Sequence, residues 1–459
     1  MVTIAGIVDK YQTFPITKIP SNVPYAVRKH SVSDAKLRRE ALEDFMYSSQ
    51  RWPRLEFPQL ESETLHQYIY SLVNLLEDVE YVEGSEEEKD HIFEVIESKL
   101  MELNRHQKIR RMMAETAIDS AEVLRQEAGD VTFEIFGQLD PDRFAYYFSQ
   151  DYTRARTWTR NSAITGRKRA VATQFLQRTQ DVKVPVDFEF ETLDPETMEM
   201  FKGDLTVILP GLEKFLAQEI PASVPVDRVL PYFDNALDAV SLSGKGWRSR
   251  FTEGKQAEEN HAHRTIDVGR NRPPFTGARL KPLPLHEATH CLRANNADEQ
   301  PNAAHRLPSK TNLAFEEGLC KAIESIITGK DTQAGSAYYV SLGLQLGLDI
   351  GGERRDFRET FEIMWPRQAM ISGAETAKDI REAKVSAYQT MLRTTRGNAV
   401  DARDKSYSDG DQLSKSWLNS IKALPEEQRR EKLRWVLSAQ FNPMDPEAAE
   451  LFKDISLRV

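Results

Sequence analysis

Along most of this chain apolar residues recur every three or four positions, the spacing that gives an α-helix one apolar face. "SETLHQYIYSLVNLLEDVEYV" (62–82) opens on Ser-Glu-Thr and then keeps that period, and "SEEEKDHIFEVIESKLMEL" (85–103) and "RRMMAETAIDSAEVLRQEA" (110–128) repeat it. Three such segments in a row predict a packed helical array over residues 41–180. "VPVDFEFETL" (184–193) alternates instead, which predicts a strand, and "DPETMEMFKGDLTVILPGLEKFLAQ" (194–218) returns to helix with a break near Pro210. Residues 219–284 are rich in proline, glycine and charge, with "HRTIDVGR" (263–270) as the best strand candidate. A helix over 313–328 follows from the stripe Phe315, Leu319, Ala322, Ile323 and Ile326, with Gly329 to end it. "RDFRETFEIMWPRQAM" (355–370) and "AETAKDIREAKVSAYQTMLR" (374–393) are further helices. With no internal repeat and no linker, the expected organisation is a less regular segment over 1–40 and one unit over 41–459. The expected class is α+β, mainly helical with a small sheet.

Composition narrows the class without choosing a function. The chain has 459 residues, 40% hydrophobic and 29% charged, enough for a large core and ordinary for a globular protein. It contains no apolar run long enough to cross a bilayer, and "MVTIAGIVDKYQTFPITKIP" lacks the basic start, full apolar core and cleavage site of an export signal. The expectation is a cytoplasmic protein with no membrane partner. Lys and Arg number 61 against 71 Asp and Glu, a net charge of −10 that argues against general nucleic-acid binding. Two cysteines, Cys291 and Cys320, are too few for a disulfide framework and are expected to be small buried packing residues.

"LPLHEATHCLRANN" (283–296) carries the candidate chemistry. Pro282 and Pro284 suit a helix entrance and Asn295-Asn296 its end, giving a helix over about 285–294. On that helix His286 and His290 are one turn apart on one face and able to converge on one ion, while Leu285, Ala288 and Leu292 face the core. Glu287 lies beside the two histidines. Zinc takes nitrogen and carboxylate donors, and a hydrolytic site keeps its fourth position for water, so a third protein ligand is needed. "NLAFEEGLCKAIESI" (312–326) supplies Glu316 and Glu317, and Gly318 removes a side chain where this second helix would approach the first.

"HEATHCLRANN", "QP" and "FEEGL" resemble the microtubule-associated tyrosine carboxypeptidase family, zinc peptidases with a His-Glu…Thr-His helix and a Glu/Gln-Glu-Gly-Leu helix. "FMYSSQRWPRLEFPQL", "FEIFGQLDPD", "FTGARL", "RTTRG" and "RDKSYSDG" resemble successive segments of the same family over roughly residues 40–410. The resemblance implies a zincin-like metallopeptidase core, with 41–180 as an N-terminal helical part and 181–459 as the catalytic part. It implies Zn2+ on His286, His290 and Glu317, with Glu316 as second choice, and Glu287 as the catalytic residue. The chain departs from the tubulin-acting members by one residue fewer just before His290, so that three residues, Glu287, Ala288 and Thr289, separate its histidines.

The implied reaction is removal of a C-terminal residue, tyrosine or another aromatic, from a protein or peptide. Glu287 would take a proton from the attacking water and return it to the leaving amine. An arginine would hold the substrate carboxylate, with Arg293 and Arg396 as candidates, and Tyr407 could donate to the oxyanion. Tubulin is a possible substrate, disfavoured because its acidic tails meet a chain of net charge −10. The alternatives are an aminopeptidase, marked by an anionic subsite for the substrate amine, an endopeptidase with a cleft open at both ends, and a scaffold without activity.

Overall fold

A computed structural model describes residues 3–13, 32–53, 62–115, 117–164, 166–254, 256–272 and 274–458. Among these the chain is mainly helical with two small sheets. Within the segment expected to be less regular, Ile4–Thr13 is a helix whose Ile7 and Val8 are buried in one cluster with Leu72, Leu75, Ile92 and Ile96. Residues 14–31 and 54–61 of the quoted segments lie outside the described residues.

The helical array is present, with one boundary moved. Ser85 caps a helix over Glu86–Ala114, its hydroxyl taking the Glu88 N–H while the Glu88 carboxylate takes the Ser85 N–H. Buried Leu103, Ile109 and Met112 carry the apolar stripe through the expected gap, and the chain turns only at Glu115 before Ile118–Phe136. Residues 184–193 are not a strand. Phe188 and Phe190 pack on Tyr146, with ring centroids 5.3 and 4.8 Å apart, and the Glu191 N–H donates to the Gln412 side chain at 2.8 Å. Alternation here serves aromatic packing, and side chains satisfy the backbone that a strand would pair in a ladder.

The break at Pro210 divides helices Pro195–Ile208 and Leu212–Leu216 as expected. The larger sheet has the order β2 (Arg248–Thr252), β4 (Thr265–Gly269), β3 (Ala257–Asn260), with β2 parallel and β3 antiparallel to β4. The smaller pairs β1 (Ser223–Val224) with β5 (Phe275–Thr276). β4 is the strand expected in "HRTIDVGR": Ile266 and Val268 enter the core, while Asp267 faces Arg250, Asn260 and Thr265.

The motif helix spans Pro282–Asp298 and buries Leu285, Ala288 and Leu292 in the same core. It outlasts the expected end because its asparagines are used inside. Asn295 accepts the Trp247 indole N–H at 3.2 Å, and Asn296 donates to the Leu437 carbonyl at 3.0 Å. The second helix runs Asn312–Thr328 and stops at Gly329, where φ is 63°. Gly318 allows a close crossing, but with the helix Ser406–Ile421 and not with the motif helix: a Cβ at Gly318 would stand 1.8 Å from the Gly410 carbonyl oxygen. That crossing brings Tyr407 and Arg403 into the field of Glu317. No helix among the described residues is long and apolar enough to cross a membrane.

Candidate metal centre

Both histidines project from one face of the motif helix, with ring centroids 4.9 Å apart and Nε2 atoms 3.1 Å apart. Glu317 Oε2 lies 3.7 Å from His286 Nε2 and 3.9 Å from His290 Nε2. Donors about 2.0–2.1 Å from a tetrahedral ion are separated from each other by roughly 3.3 Å, so this triangle is near the size that zinc needs. Each outward nitrogen stands against a carboxylate. His286 Nδ1 is 2.8 Å from Glu324 Oε1, and His290 Nδ1 is 3.0 Å from Glu316 Oε1. A carboxylate on each Nδ1 turns Nε2 inward as the metal-binding nitrogen. Glu316 therefore supports a ligand, and Glu317 alone of the pair faces the gap.

Cys320 is also here. A buried group of His286, His290 and Cys320 could hold a metal ion, each offering one donor atom within 4.8 Å of the others. The expectation of a packing cysteine holds for Cys291, which lies in the main apolar core, and needs correction for Cys320, whose neighbours are the imidazoles. Without an ion, burial would lower both imidazole pKa values, but their carboxylate neighbours and, at His290, the Cys320 sulfur raise them above the ordinary value.

Glu287 lies one residue from His286, buried and outside the donor triangle. Burial pushes its carboxyl up to about 7; the two histidines pull it down, and Glu317 and Glu258 add to the rise. Tyr407 is brought to the site as well. The Glu317 carboxylate and burial hold its phenol well above the ordinary value, and its ring lies 6.0 Å from Tyr338, beside the Arg393 guanidinium.

The two arginines expected to meet a substrate are elsewhere. Arg293 is 0% exposed: it donates to the carbonyls of Val436 and Ala439 at 3.0 Å each and of Phe441 at 2.8 Å, and it pairs with Glu316. Arg396 is buried on Asp401 and Asp404, at 3.3 and 3.0 Å. Other arginines lie in the field of the site's carboxylates. Arg272 lies with its guanidinium 3.7 Å from the centre of the Phe275 ring, its buried Nε without a hydrogen-bond partner, in the field of both Arg279 and Glu287. The charge of Arg403 helps hold down the pKa values of Glu317 and Asp404. On the sheet side, β3 contributes Glu258 and Glu259, the latter with an Oε1 lacking a hydrogen-bond partner and pushed up in pKa by burial.

Sequence reasoning missed these residues for different reasons. Cys320 and Glu324 stand at helical spacing with Glu317, which the sequence did single out, on the face away from the apolar stripe, a signal that was available. Arg272, Arg279 and Arg403 sit in turns, where spacing says nothing about direction. No family model, curated protein or solved structure matches the chain.

Proposed function

We propose that this protein is a zinc metallopeptidase with a zincin-like core that acts at a C-terminal residue of a peptide or protein. The observation that carries the reading is the convergence of His286 Nε2, His290 Nε2 and Glu317 Oε2 within 3.9 Å, with a supporting carboxylate on each imidazole and Glu287 left over beside them. The motif resemblance points the same way. When bound, zinc supplies Lewis acidity, making a water acidic near neutral pH and stabilising negative charge on a carbonyl oxygen. Glu287 has the chemistry of a general base that becomes the acid: its carboxylate takes a proton from the attacking water and gives it to the leaving amine. Tyr407, kept protonated, is suited to donate a hydrogen bond to the carbonyl oxygen as charge develops there. Arg272 replaces Arg293 and Arg396 as the residue for the terminal carboxylate, because its fork has no ion pair among the described residues, rests on Phe275 and lies in the field of Glu287.

Glu258 and Glu259 favour a second reading, since an acidic wall on β3 is what an aminopeptidase needs for the substrate amine. A peptide library with free and amidated C-termini separates the two. Loss of single residues from free ends, weakened in Arg272→Ala by about 1.5–3 kcal/mol or roughly 10- to 150-fold in kcat/KM, supports the carboxypeptidase. Equal cleavage of amidated peptides rejects it, and stepwise loss from the amino end selects the second reading.

Metal content tests the ligand set independently of substrate. Purified protein is expected to hold one zinc per chain, and Glu317→Ala to weaken it beyond the 10- to 100-fold typical of losing a supporting partner, roughly 100-fold or more by equilibrium competition with a chelator. Full retention by that variant would remove Glu317 from the set.

A further inference from the structure

Cys320 is fully buried yet belongs to none of the apolar clusters, although its neighbours Leu319, Ala322 and Ile323 all join the main core. Its side chain turns from that stripe toward His286 and His290, with Sγ within 4.8 Å of a nitrogen on each. It stands one turn beyond Glu317 on the same helix, hydrogen-bonded to His290. A nucleophilic cysteine needs a depressed pKa. Cys320 is instead fully buried against two imidazoles, the setting of a metal donor and not of an exposed nucleophile. What lowers such a thiol is an ion beside it: as the sulfur–metal bond forms, the proton leaves for solvent and the thiolate stays as donor.

We propose that Cys320 is a fourth protein donor to the metal, closing the position that hydrolysis requires, so that the site rests latent until water or substrate displaces the sulfur. The inference rests on the metal reading above and adds a regulatory state to it. Four protein donors make a closed site, three an open one, and the two donors that join the histidines in these sets, Glu317 and Cys320, stand on a single turn of one helix. A thiolate donor also selects: a His, Glu and Cys set favours zinc, cobalt or cadmium over manganese or magnesium.

Cobalt(II) reads this out without activity. The full-length protein, stripped of metal by chelator, is titrated with cobalt chloride and followed by absorption. One equivalent is expected to bring an intense near-ultraviolet thiolate-to-cobalt band, kept in Cys291→Ala and lost in both Cys320→Ala and Cys320→Ser. Those two variants should still show the weaker visible bands of bound cobalt. Serine keeps the size of the side chain, so loss of the band in both is not a folding effect. With zinc, the Cys320 variants should bind metal several-fold more weakly and hydrolyse peptide several-fold faster. One bound cobalt with the same spectrum in the parent and the Cys320 variants would overturn the proposal while leaving the three-donor site intact. If the parent binds neither cobalt nor zinc, the metal reading falls and this proposal with it.

Discussion

Glu287→Gln should keep zinc and lose hydrolysis, with kcat down by about 10²- to 10⁴-fold, the range general acid–base catalysis contributes. The amide preserves the volume of a residue that is 7% exposed, but cannot accept the proton. Because Glu287 stands outside the donor triangle, zinc content by metal analysis should match the parent. The pH profile gives a second check. Burial puts the carboxyl at about 7 without an ion, and the positive charge of a bound metal lowers it from there. The working form is the carboxylate, so kcat/KM should fall as pH drops through that value, with an acid limb at or below neutral that is missing from the variant's residual rate. Turnover within about tenfold of the parent would assign the proton transfer to another group.

The residues that chemistry demands at fixed helical spacing were legible in the sequence, and those that tertiary structure delivers were not. That His286 and His290 share one face with Glu287 beside them follows from 100° per residue on a helix that proline opens; the need for a third donor pointed to Glu316 or Glu317, and only the family resemblance chose Glu317. Element boundaries erred where side chains compete for backbone groups. Residues 184–193 alternate like a strand, yet Gln412 holds the Glu191 N–H and Tyr146 packs the two phenylalanines. The motif helix passes Asn295 and Asn296 because buried partners from Trp247 and Leu437 wait for their amides. Gly318 was assigned to the wrong neighbour, since a missing Cβ marks a close approach without saying to what.

The fate of Arg293 shows the same limit most sharply and leads to the largest stability effect expected here. On a helical wheel it lies one turn beyond His290 and close to the ligand face, which is why it resembles a substrate arginine. In the fold that direction is inward. Its guanidinium ties the motif helix to the Val436 carbonyl in the last turn of the helix Glu426–Leu437, to those of Ala439 and Phe441 just after it, and to Glu316, the carboxylate on His290 Nδ1. Removing it strands a buried carboxylate, whose pKa the arginine and His290 now hold down against burial, together with three buried acceptors. Breaking a buried pair from one side costs about 3–5 kcal/mol, so Arg293→Ala should lower unfolding free energy by about that amount in urea titration. Arg293→Lys should fall between, because one ammonium cannot reach carbonyls on both edges of the fork. Zinc affinity should drop with stability, as Glu316 no longer fixes the imidazole. The preference for free over amidated C-termini should survive in whatever folded fraction remains. If Arg293→Ala instead left stability unchanged and abolished that preference, the arginine would belong to the substrate site and the assignment of Arg272 would fail.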